Sequence, residues 1–195
     1  MGGGAEARAL RHAGCAGTYV KSRVQSLTSK VERWAIIAFG ANLGDAQENI
    51  LQAMRRLEGV SEKPLRRSSL WQTAPVDCPP GSPVFVNAVV ALLSGKGETP
   101  ETLLAKLQAL EKEFGRRPKD VLNEPRPLDL DLVAFGNETR ATRELTLPHP
   151  RAHERRFVLQ PLSEIAPDLI LPGQSQSVAQ LLDQLPPDPS MRKLA

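Results

Sequence analysis

The sequence predicts an α+β fold, in which an antiparallel sheet carries two helices on one face and is followed by a C-terminal hairpin and short helices. Two observations support this fold class. Apolar, β-prone runs at residues 34–39, 84–92 and 128–135 are typical of buried strands. Between them, apolar residues recur at helical spacing before Gly59 and again before Gly115. The predicted order is therefore strand, helix, strand, strand, helix, strand.

The first strand is followed by a glycine-containing turn and a helix. The turn at 40–44 leads to Asp45, which forms a capping-box pattern with Glu48. The helix has one apolar face, made by Ile50, Met54 and Leu57. Because the turn lacks the residues of a P-loop or a dinucleotide fingerprint, we interpret Gly40 and Gly44 mainly as turn glycines. A phosphate cradle at the helix N-terminus is the alternative.

The next three elements are a strand, a strand and a helix. Residues 67–73 predict the second strand, and residues 74–83 predict a loop because they contain four prolines and a glycine. Residues 84–92 form the third predicted strand. Thr99 and Pro100 begin the second helix as N-cap and first helical residue.

The fourth strand, at residues 128–135, precedes a predicted hairpin. Gly136-Asn137 predicts the turn, and residues 142–147 predict a short returning strand. A loop with a short helix at 148–169 and a small helix at 177–185 complete the pattern. This order of elements is that of a βαββαβ ferredoxin-like sandwich, whose second sheet face would be free for loops and ligands.

Asp129 and Asp131 carry the clearest chemical signal. They lie two apart on a strand, so both carboxylates project from one face, which Val133 and Phe135 continue as apolar residues. Neighbouring acids repel unless a cation lies between them, and Mg²⁺ with a nucleotide phosphate suits such a pair. Arg126 would hold the anion. A solvated acidic face is the alternative, which the apolar neighbours disfavour.

Two other pairs of residues are candidate ligand contacts. Phe85 and Asn87 share a strand face, where the Asn87 amide is either structural or reads the polar edge of a planar heterocycle. His149 and His153 are four apart, but prolines on both sides of His149 disrupt a helix there. We therefore favour a phosphate contact or a plain loop residue at His149 over zinc binding.

Basic residues are clustered locally. They are Arg116, Arg117 and Lys119, then Arg126, then Arg151, Arg155 and Arg156. Such clusters are usually solvated surface, but around an acidic pair they suit a polyphosphate site.

Charge and composition exclude some functions. Residues 1–33 carry six basic and two acidic residues, and the remainder is near neutral with 19 basic and 20 acidic residues, which argues against a nucleic-acid partner. No apolar stretch is long enough to cross a bilayer.

Cys15 and Cys78 have no metal spacing and indicate a reduced compartment, so we predict a cytoplasmic protein without a membrane partner. We interpret residues 1–33 as a disordered extension before one domain at 34–195; a mitochondrial transit segment is the alternative.

Six segments together resemble one enzyme family. They are residues 40–44, 73–76, 85–88, 125–131, 147–150 and 155–162. In this order and spacing, residues 35–185 resemble the 6-hydroxymethyl-7,8-dihydropterin pyrophosphokinases of the folate pathway. The resemblance implies a ferredoxin-like fold and transfer of pyrophosphate from ATP to the pterin hydroxymethyl oxygen, with release of AMP.

The resemblance also implies residue roles. Asp129 and Asp131 would bind two Mg²⁺ ions and, with three arginines, would form the catalytic group. The pterin-binding residues would be Thr73, Pro75, Val76, Phe85, Asn87 and Phe157. The ATP-binding residues would be Gln108, Glu111, Arg116, Arg126, Leu132, Thr146, His149 and Arg155, of which Arg116, Arg126 and Arg155 are the three arginines.

Five positions depart from the family pattern, and two of them, Leu122 and Glu124, miss its stricter signature. Asn123 stands where the family often has a tryptophan that closes over the site, and Pro118 and Glu144 stand where some members have arginines towards ATP. A relative that has lost activity is therefore one alternative, and a non-catalytic module that binds RNA or protein is another. The near-neutral body and the lack of an aromatic RNA-binding motif argue against RNA. Docking to another folate-pathway enzyme is a further expectation.

Overall fold

The computed structural model describes residues 1, 33–76, 78–116 and 124–194. Most of the predicted N-terminal extension therefore lies outside the described residues, as do the departures at Pro118, Leu122 and Asn123. Within the described ranges, no helix is both long and apolar enough to span a membrane.

Strands and helices follow one another in the predicted order. The strands are β1 Trp34–Ala41, β2 Arg66–Arg67, β3 Trp71–Thr73, β4 Phe85–Leu93, β5 Asp129–Phe135, β6 Arg140–Ala141, β7 Thr146–Leu147 and β8 Arg192–Lys193. The helices are α1 Ala46–Glu58, α2 Pro100–Glu113, α3 Arg156–Ile165 and α4 Val178–Gln184, with a 3-10 turn at Ala152–Glu154 before α3.

The main sheet is antiparallel, which confirms the prediction. Its strand order is β5-β1-β4-β3-β8, and β2 also pairs with β4. The predicted second strand is divided into β2 and β3, because the backbone N–H of Val89 donates to the Ser68 hydroxyl at 2.9 Å instead of to a strand carbonyl. Strand β1 lies between β5 and β4, and its Gly40 is opposite Asn87 on β4 and opposite Asp129 on β5.

One face of the sheet packs against α1 and α2, as the helical patterns predicted. The helices begin at the expected caps, since Asp45 accepts the N–H of Glu48 at 3.0 Å and Thr99 accepts the N–H of Thr102 at 3.2 Å. Their apolar stripes meet alternate residues of the strands in one buried cluster. It includes Ile37, Phe39, Ile50, Met54, Leu103, Leu107 and Leu130.

The second face is not free, so this part of the prediction was wrong. Helix α3 places Val158, Leu159 and Leu162 in a second buried cluster with residues such as Ile36 and Val89. The apolar pattern of α3 is short and contains a proline. The sequence therefore did not predict that this segment is an amphipathic helix that packs on this face. Helix α4 covers α3 in turn, and the same cluster includes Val178, Leu181 and Leu182.

Strand β5 presents its acids as predicted, but its apolar end differs. The pairing of β1 with β5 shifts register next to Ile36, so Val133 is an extra residue in the ladder. Val133 stays on the face of α3, as expected, whereas Phe135 is buried in the cluster of α1 and α2. Strict alternation placed Phe135 on the wrong face, because a bulge reverses every side chain beyond it.

The hairpin after β5 also differs from the prediction. The turn at Gly136 is present, with a positive φ of 53°. The returning strand is confined to β7, which pairs with β6 rather than with β5. Residues 142–145 instead form a turn, in which the Thr142 N–H donates to the Leu145 carbonyl oxygen at 3.0 Å.

Candidate functional site

A cavity of about 560 Å³ opens beside the N-terminus of α3, on the same face of the sheet. Its floor comes from three neighbouring strands at the level of Gly40. The loop after β3, the residues before β5, the segment around the start of α3 and the C-terminal segment form its walls. The second sheet face therefore has an apolar core under α3 and a polar cavity beside it.

An amide and an aromatic ring lie side by side on β4. Asn87 is only 4% exposed, and its Nδ2 donates to the Thr73 hydroxyl at 2.8 Å. A Cβ atom added at Gly40 would lie 3.6 Å from the Asn87 Oδ1 and 4.0 Å from the Phe85 ring. Gly40 therefore leaves open the floor that connects the amide with the ring. A flat heterocycle with donors and acceptors on its edge suits this part of the cavity.

Asp129 lies on the other side of Gly40 and is paired with two arginines. Its carboxylate is 2.6 Å from Arg116 Nη1 and 2.9 Å from Arg126 Nη1. All three side chains are mostly buried, with exposures of 12–21%. Asp129 and Glu111 together balance the two guanidinium groups, whose fork of N–H donors is also the usual protein ligand of a phosphate group.

Asp131 lies on the same strand face and is less fully paired. Its nearest arginine is Arg155, at 4.0 Å. Partial removal from water, followed by repulsion from Asp129, raises the pKa of Asp131 above its ordinary value. A cation bound between the two acids would relieve this repulsion.

The ring of His149 is held by the backbone of the segment before α3. Its Nδ1 accepts the N–H of Arg151 at 3.2 Å. Burial, together with the charges of Arg155 and Arg151, lowers the pKa of His149, although Asp131 opposes this. A neutral His149 must then carry its proton on Nε2, which becomes a hydrogen-bond donor.

Arg126 lies between the part of the cavity beside Asp129 and the part beside the Phe85 ring. Its backbone N–H donates to the Asn42 side chain at 2.8 Å, which ties the segment before β5 to the turn after β1. Its guanidinium lies 5.8 Å from the centroid of the Phe85 ring. Among the described residues, its buried Nε has no hydrogen-bond partner, and such an unpaired donor costs about 1–3 kcal/mol.

The guanidinium of Arg155 makes a similar contact, at 5.4 Å from the Phe157 ring centroid. Arg155 and Phe157 flank the first residue of α3, so the start of this helix supplies both a cation and a ring to the cavity.

Glu111 supports the site from α2. It accepts the N–H of Leu130 at 2.7 Å and forms an ion pair with Arg116. Burial raises its pKa to about 6, while the Leu130 N–H and Arg116 oppose this. Glu111 therefore fixes both Arg116 and the backbone between the two aspartates.

Most of the predicted site residues line the cavity together. They are Thr73, Val76, Phe85, Asn87, Arg116, Arg126, Asp129, Asp131, His149, Arg155 and Phe157. Pro75 lies between two lining residues but is not itself one of them.

Four predicted nucleotide residues do not line the cavity: Gln108, Glu111, Leu132 and Thr146. Gln108 is exposed on α2, and Thr146 is exposed on β7. The side chain of Leu132 is buried with the cluster of α1 and α2, so only its backbone is available to a ligand. Their roles stay predictions.

Several lining residues were missed or misinterpreted. Gly44 has the positive φ of a turn glycine, 69°, but Gly40 lies within β1 and was wrongly interpreted as a turn residue. Arg151 and Arg156 were noticed only as members of a basic cluster. Asp188 had no signal in the sequence, since it reaches the cavity only through the return of the C-terminal segment.

The donor set suits Mg²⁺ held jointly with a phosphorylated ligand. Within the described ranges, no group of three or more His, Cys, Asp or Glu residues could hold a metal ion on its own. Mg²⁺ is commonly bound by one or two carboxylates, with phosphate oxygens and water completing its coordination. Asp129 and Asp131 match this chemistry, and burial together with the charge of Asp129 raises the pKa of Asp131, which a bound cation would oppose.

Comparisons with known proteins show the family to which the chain is similar. Residues 36–167 match the family model described as 7,8-dihydro-6-hydroxymethylpterin-pyrophosphokinase (HPPK). The 2-amino-4-hydroxy-6-hydroxymethyldihydropteridine pyrophosphokinase of Synechocystis sp. is 36% identical over 151 residues, which cover 77% of this chain and 75% of the relative. The protein of the same name from Pseudomonas aeruginosa is 40% identical over 137 residues, which cover 70% of this chain and 82% of the relative.

The fold is also similar to that of a solved structure of HPPK-DHPS in complex with substrates. The TM-score is 0.58 over 78% of this chain, with 12% sequence identity. The chain spans 43% of the length of that structure's chain. At this identity the likeness concerns the fold alone.

Proposed function

Because the chain belongs to the 7,8-dihydro-6-hydroxymethylpterin-pyrophosphokinase family, and so is a pyrophosphokinase of folate synthesis, we propose that its cavity binds ATP and 6-hydroxymethyl-7,8-dihydropterin side by side. The hydroxymethyl oxygen attacks the β-phosphorus of ATP in line. A new oxygen–phosphorus bond forms as the bond from the β-phosphorus to the oxygen of the α-phosphate breaks, the hydroxyl proton is released to solvent, and AMP leaves.

One observation supports this proposal above all others. At the level of Gly40, three neighbouring strands place Asn87 on one side and Asp129 on the other, all on one face of the sheet. A ring held at Asn87 and a phosphate held near Asp129 would therefore be neighbours. Such positioning supplies much of the rate of phosphoryl transfer, because the protein contributes little covalent chemistry.

The pterin would lie at the end of the cavity with Asn87 and the two phenylalanines. The Asn87 amide, held by Thr73, offers polar atoms to the edge of the ring. Phe85 and Phe157 would contact its faces, in place of or beside the guanidinium groups that now lie near them. Pro75 and Val76 would contribute backbone contacts from the loop after β3.

The polyphosphate would lie among Arg116, Arg126 and Arg155. Arg116 and Arg126 lie beside Asp129, and the unpaired Nε of Arg126 would find a phosphate oxygen as acceptor. His149 would donate from Nε2 to another phosphate oxygen. These groups stabilise the charge that develops on the transferred phosphoryl oxygens.

Two Mg²⁺ ions would be held by Asp129 and Asp131 together with the phosphates. Bound Mg²⁺ neutralises phosphate charge and lowers the pKa of a coordinated hydroxyl group. The two carboxylates orient the polyphosphate towards the pterin, and Glu111 keeps their strand and Arg116 in place.

The rest of the nucleotide would lie between α2, β5 and β7. We propose Gln108, Glu111, the backbone of Leu132, and Thr146 as its contacts, on the strength of the family resemblance.

Broader features of the protein are proposed on the same basis. The strand order β5-β1-β4-β3, with α1 and α2 on one face, supports a ferredoxin-like sandwich. We propose one domain beginning at residue 34, a cytoplasmic location and no nucleic-acid partner. We also propose docking to another folate enzyme, on the strength of the family resemblance, and co-elution of the two purified proteins would test it.

A direct assay tests the activity. The protein is mixed with ATP, Mg²⁺ and 6-hydroxymethyl-7,8-dihydropterin, and nucleotides and pterins are separated by anion-exchange chromatography. We expect AMP and the pterin diphosphate in equal amounts, and neither when the pterin is omitted. Formation of ADP, or no pterin product, would contradict the proposal.

A further inference from the structure

The segment after α4, residues 186–194, returns to the functional cavity. It ends in β8, which extends the sheet beyond β3, with Trp71 opposite Lys193. On the way it places Asp188 on the cavity wall. The sheet edge formed by β3 is therefore covered by the chain's own C-terminal segment.

Arg156 holds the beginning of this segment. Its Nε donates to the Pro186 carbonyl oxygen at 2.8 Å, and its Nη2 donates to the carbonyl oxygens of Leu182 at 3.1 Å and Leu185 at 2.6 Å. The last carbonyl groups of a helix lack partners within the helix. Arg156 therefore caps α4 and attaches segment 186–194 to the start of α3, next to Phe157.

A series of hydrogen bonds joins the segment to the loop after β3. Asp188 Oδ1 accepts from the Ser190 N–H at 2.9 Å and from the Ser190 hydroxyl at 2.6 Å. The Ser190 oxygen in turn accepts the backbone N–H of Ala74 at 3.2 Å. Ala74 follows Thr73, whose hydroxyl accepts from Asn87. The series thus runs from the C-terminal segment to the amide of the proposed pterin pocket.

The bond to Ala74 matters because its loop has few donors. Four of the residues at 74–83 are prolines, which have no backbone N–H. Few backbone N–H groups are therefore available to hold the loop in place. The hydrogen bond from the Ala74 N–H to Ser190 holds its first residue. Ala74 and Val76 both line the cavity, so their backbone must be placed accurately for a ring to fit.

We propose that segment 186–194 positions the loop after β3 for pterin binding, with Ser190 and Asp188 as positioning residues. The inference rests on the proposed function of the pocket. Ser190 acts through the backbone of Ala74, and Asp188 acts by orienting the Ser190 hydroxyl.

The test compares Ser190→Ala with Ser177→Ala. Ser177 also uses its hydroxyl to accept a backbone N–H, that of Gln180 at 3.4 Å, but at the N-cap of α4. Pterin affinity is measured by fluorescence titration with Mg²⁺ and a non-hydrolysable ATP analogue present. We expect Ser190→Ala to weaken pterin binding about three- to tenfold, and nucleotide binding less than twofold. Ser177→Ala should change neither affinity.

Two further measurements separate positioning from general stability. Amide hydrogen exchange at Ala74 should be faster in Ser190→Ala and unchanged in Ser177→Ala. Asp188→Asn keeps an oxygen that accepts from Ser190, so it should retain most of the pterin affinity. Faster exchange at Ala74 with unchanged pterin affinity would overturn the inference, as would a greater loss in Asp188→Asn than in Ser190→Ala. Absence of pterin binding by the unsubstituted protein would instead refute the proposed function.

Discussion

Replacing Glu111 by glutamine should change how the stability of the metal-free protein depends on pH. Glu111 is 6% exposed, and burial raises its pKa from 4.5 to about 6. The folded chain therefore binds the Glu111 proton more tightly than the unfolded chain does. This contribution to stability is fully present below pH 4.5 and is lost as the pH rises through 6. The difference between the pKa of Glu111 in the unfolded chain and in the folded chain corresponds to about 2 kcal/mol of stability, at 1.36 kcal/mol per pH unit.

The assay is urea unfolding in the presence of a chelator and without nucleotide, at pH 5 and pH 7.5. Between these two pH values, the Glu111 contribution should fall by about 1 kcal/mol in the unsubstituted protein. Glu111→Gln cannot bind this proton, so its free energy of unfolding should fall by about 1 kcal/mol less over the same interval. The matched control is Glu113→Gln, an exposed glutamate of the same helix that pairs with Arg56. Equal pH dependence in Glu111→Gln and the unsubstituted protein would refute the reasoning.

Three further substitutions test separate parts of the structure. Asn87→Ala should weaken pterin binding about 100-fold in a fluorescence titration, because about two hydrogen bonds to the ring are lost; Asn137→Ala, in the hairpin turn, is the control and should have no effect. Arg126→Ala should weaken binding of a Mg²⁺–ATP analogue about 30-fold by calorimetry, and an unchanged affinity would exclude it from the phosphate site. Asp45→Ala should lower the free energy of unfolding by about 1 kcal/mol with unaltered kcat/KM, since it removes only the cap of α1; a loss of activity without a loss of stability would contradict this.

The sequence predicted the two aspartates and the Phe85–Asn87 pair because strand alternation is a local property. Residues two apart on a strand share a face whatever packs against it, and the structure places both pairs in one cavity. The pairing of both β4 and β5 with β1 then brings the two pairs to the same level of the sheet.

The parts that escaped prediction depend on contacts between distant residues. A bulge at Val133 sends Phe135 to the opposite core, and only the pairing of β5 with β1 shows it. Helix α3 covers the second face because its apolar stripe meets β1 and β4, which its own short pattern did not indicate. Asp188 reaches the cavity because β8 pairs with β3, far away in the chain.

Product formation by Asp131→Asn tests most directly whether the acidic pair and the ring pocket work as one site. Asparagine keeps the size of the side chain and removes the charge that would bind Mg²⁺, so the fold and pterin affinity should be retained. AMP and pterin diphosphate are measured together at saturating ATP, Mg²⁺ and pterin. The account predicts a rate at least about a thousandfold below that of the unsubstituted protein, corresponding to about 4 kcal/mol of transition-state stabilisation. A folded Asp131→Asn protein that forms both products at a near-normal rate would contradict it.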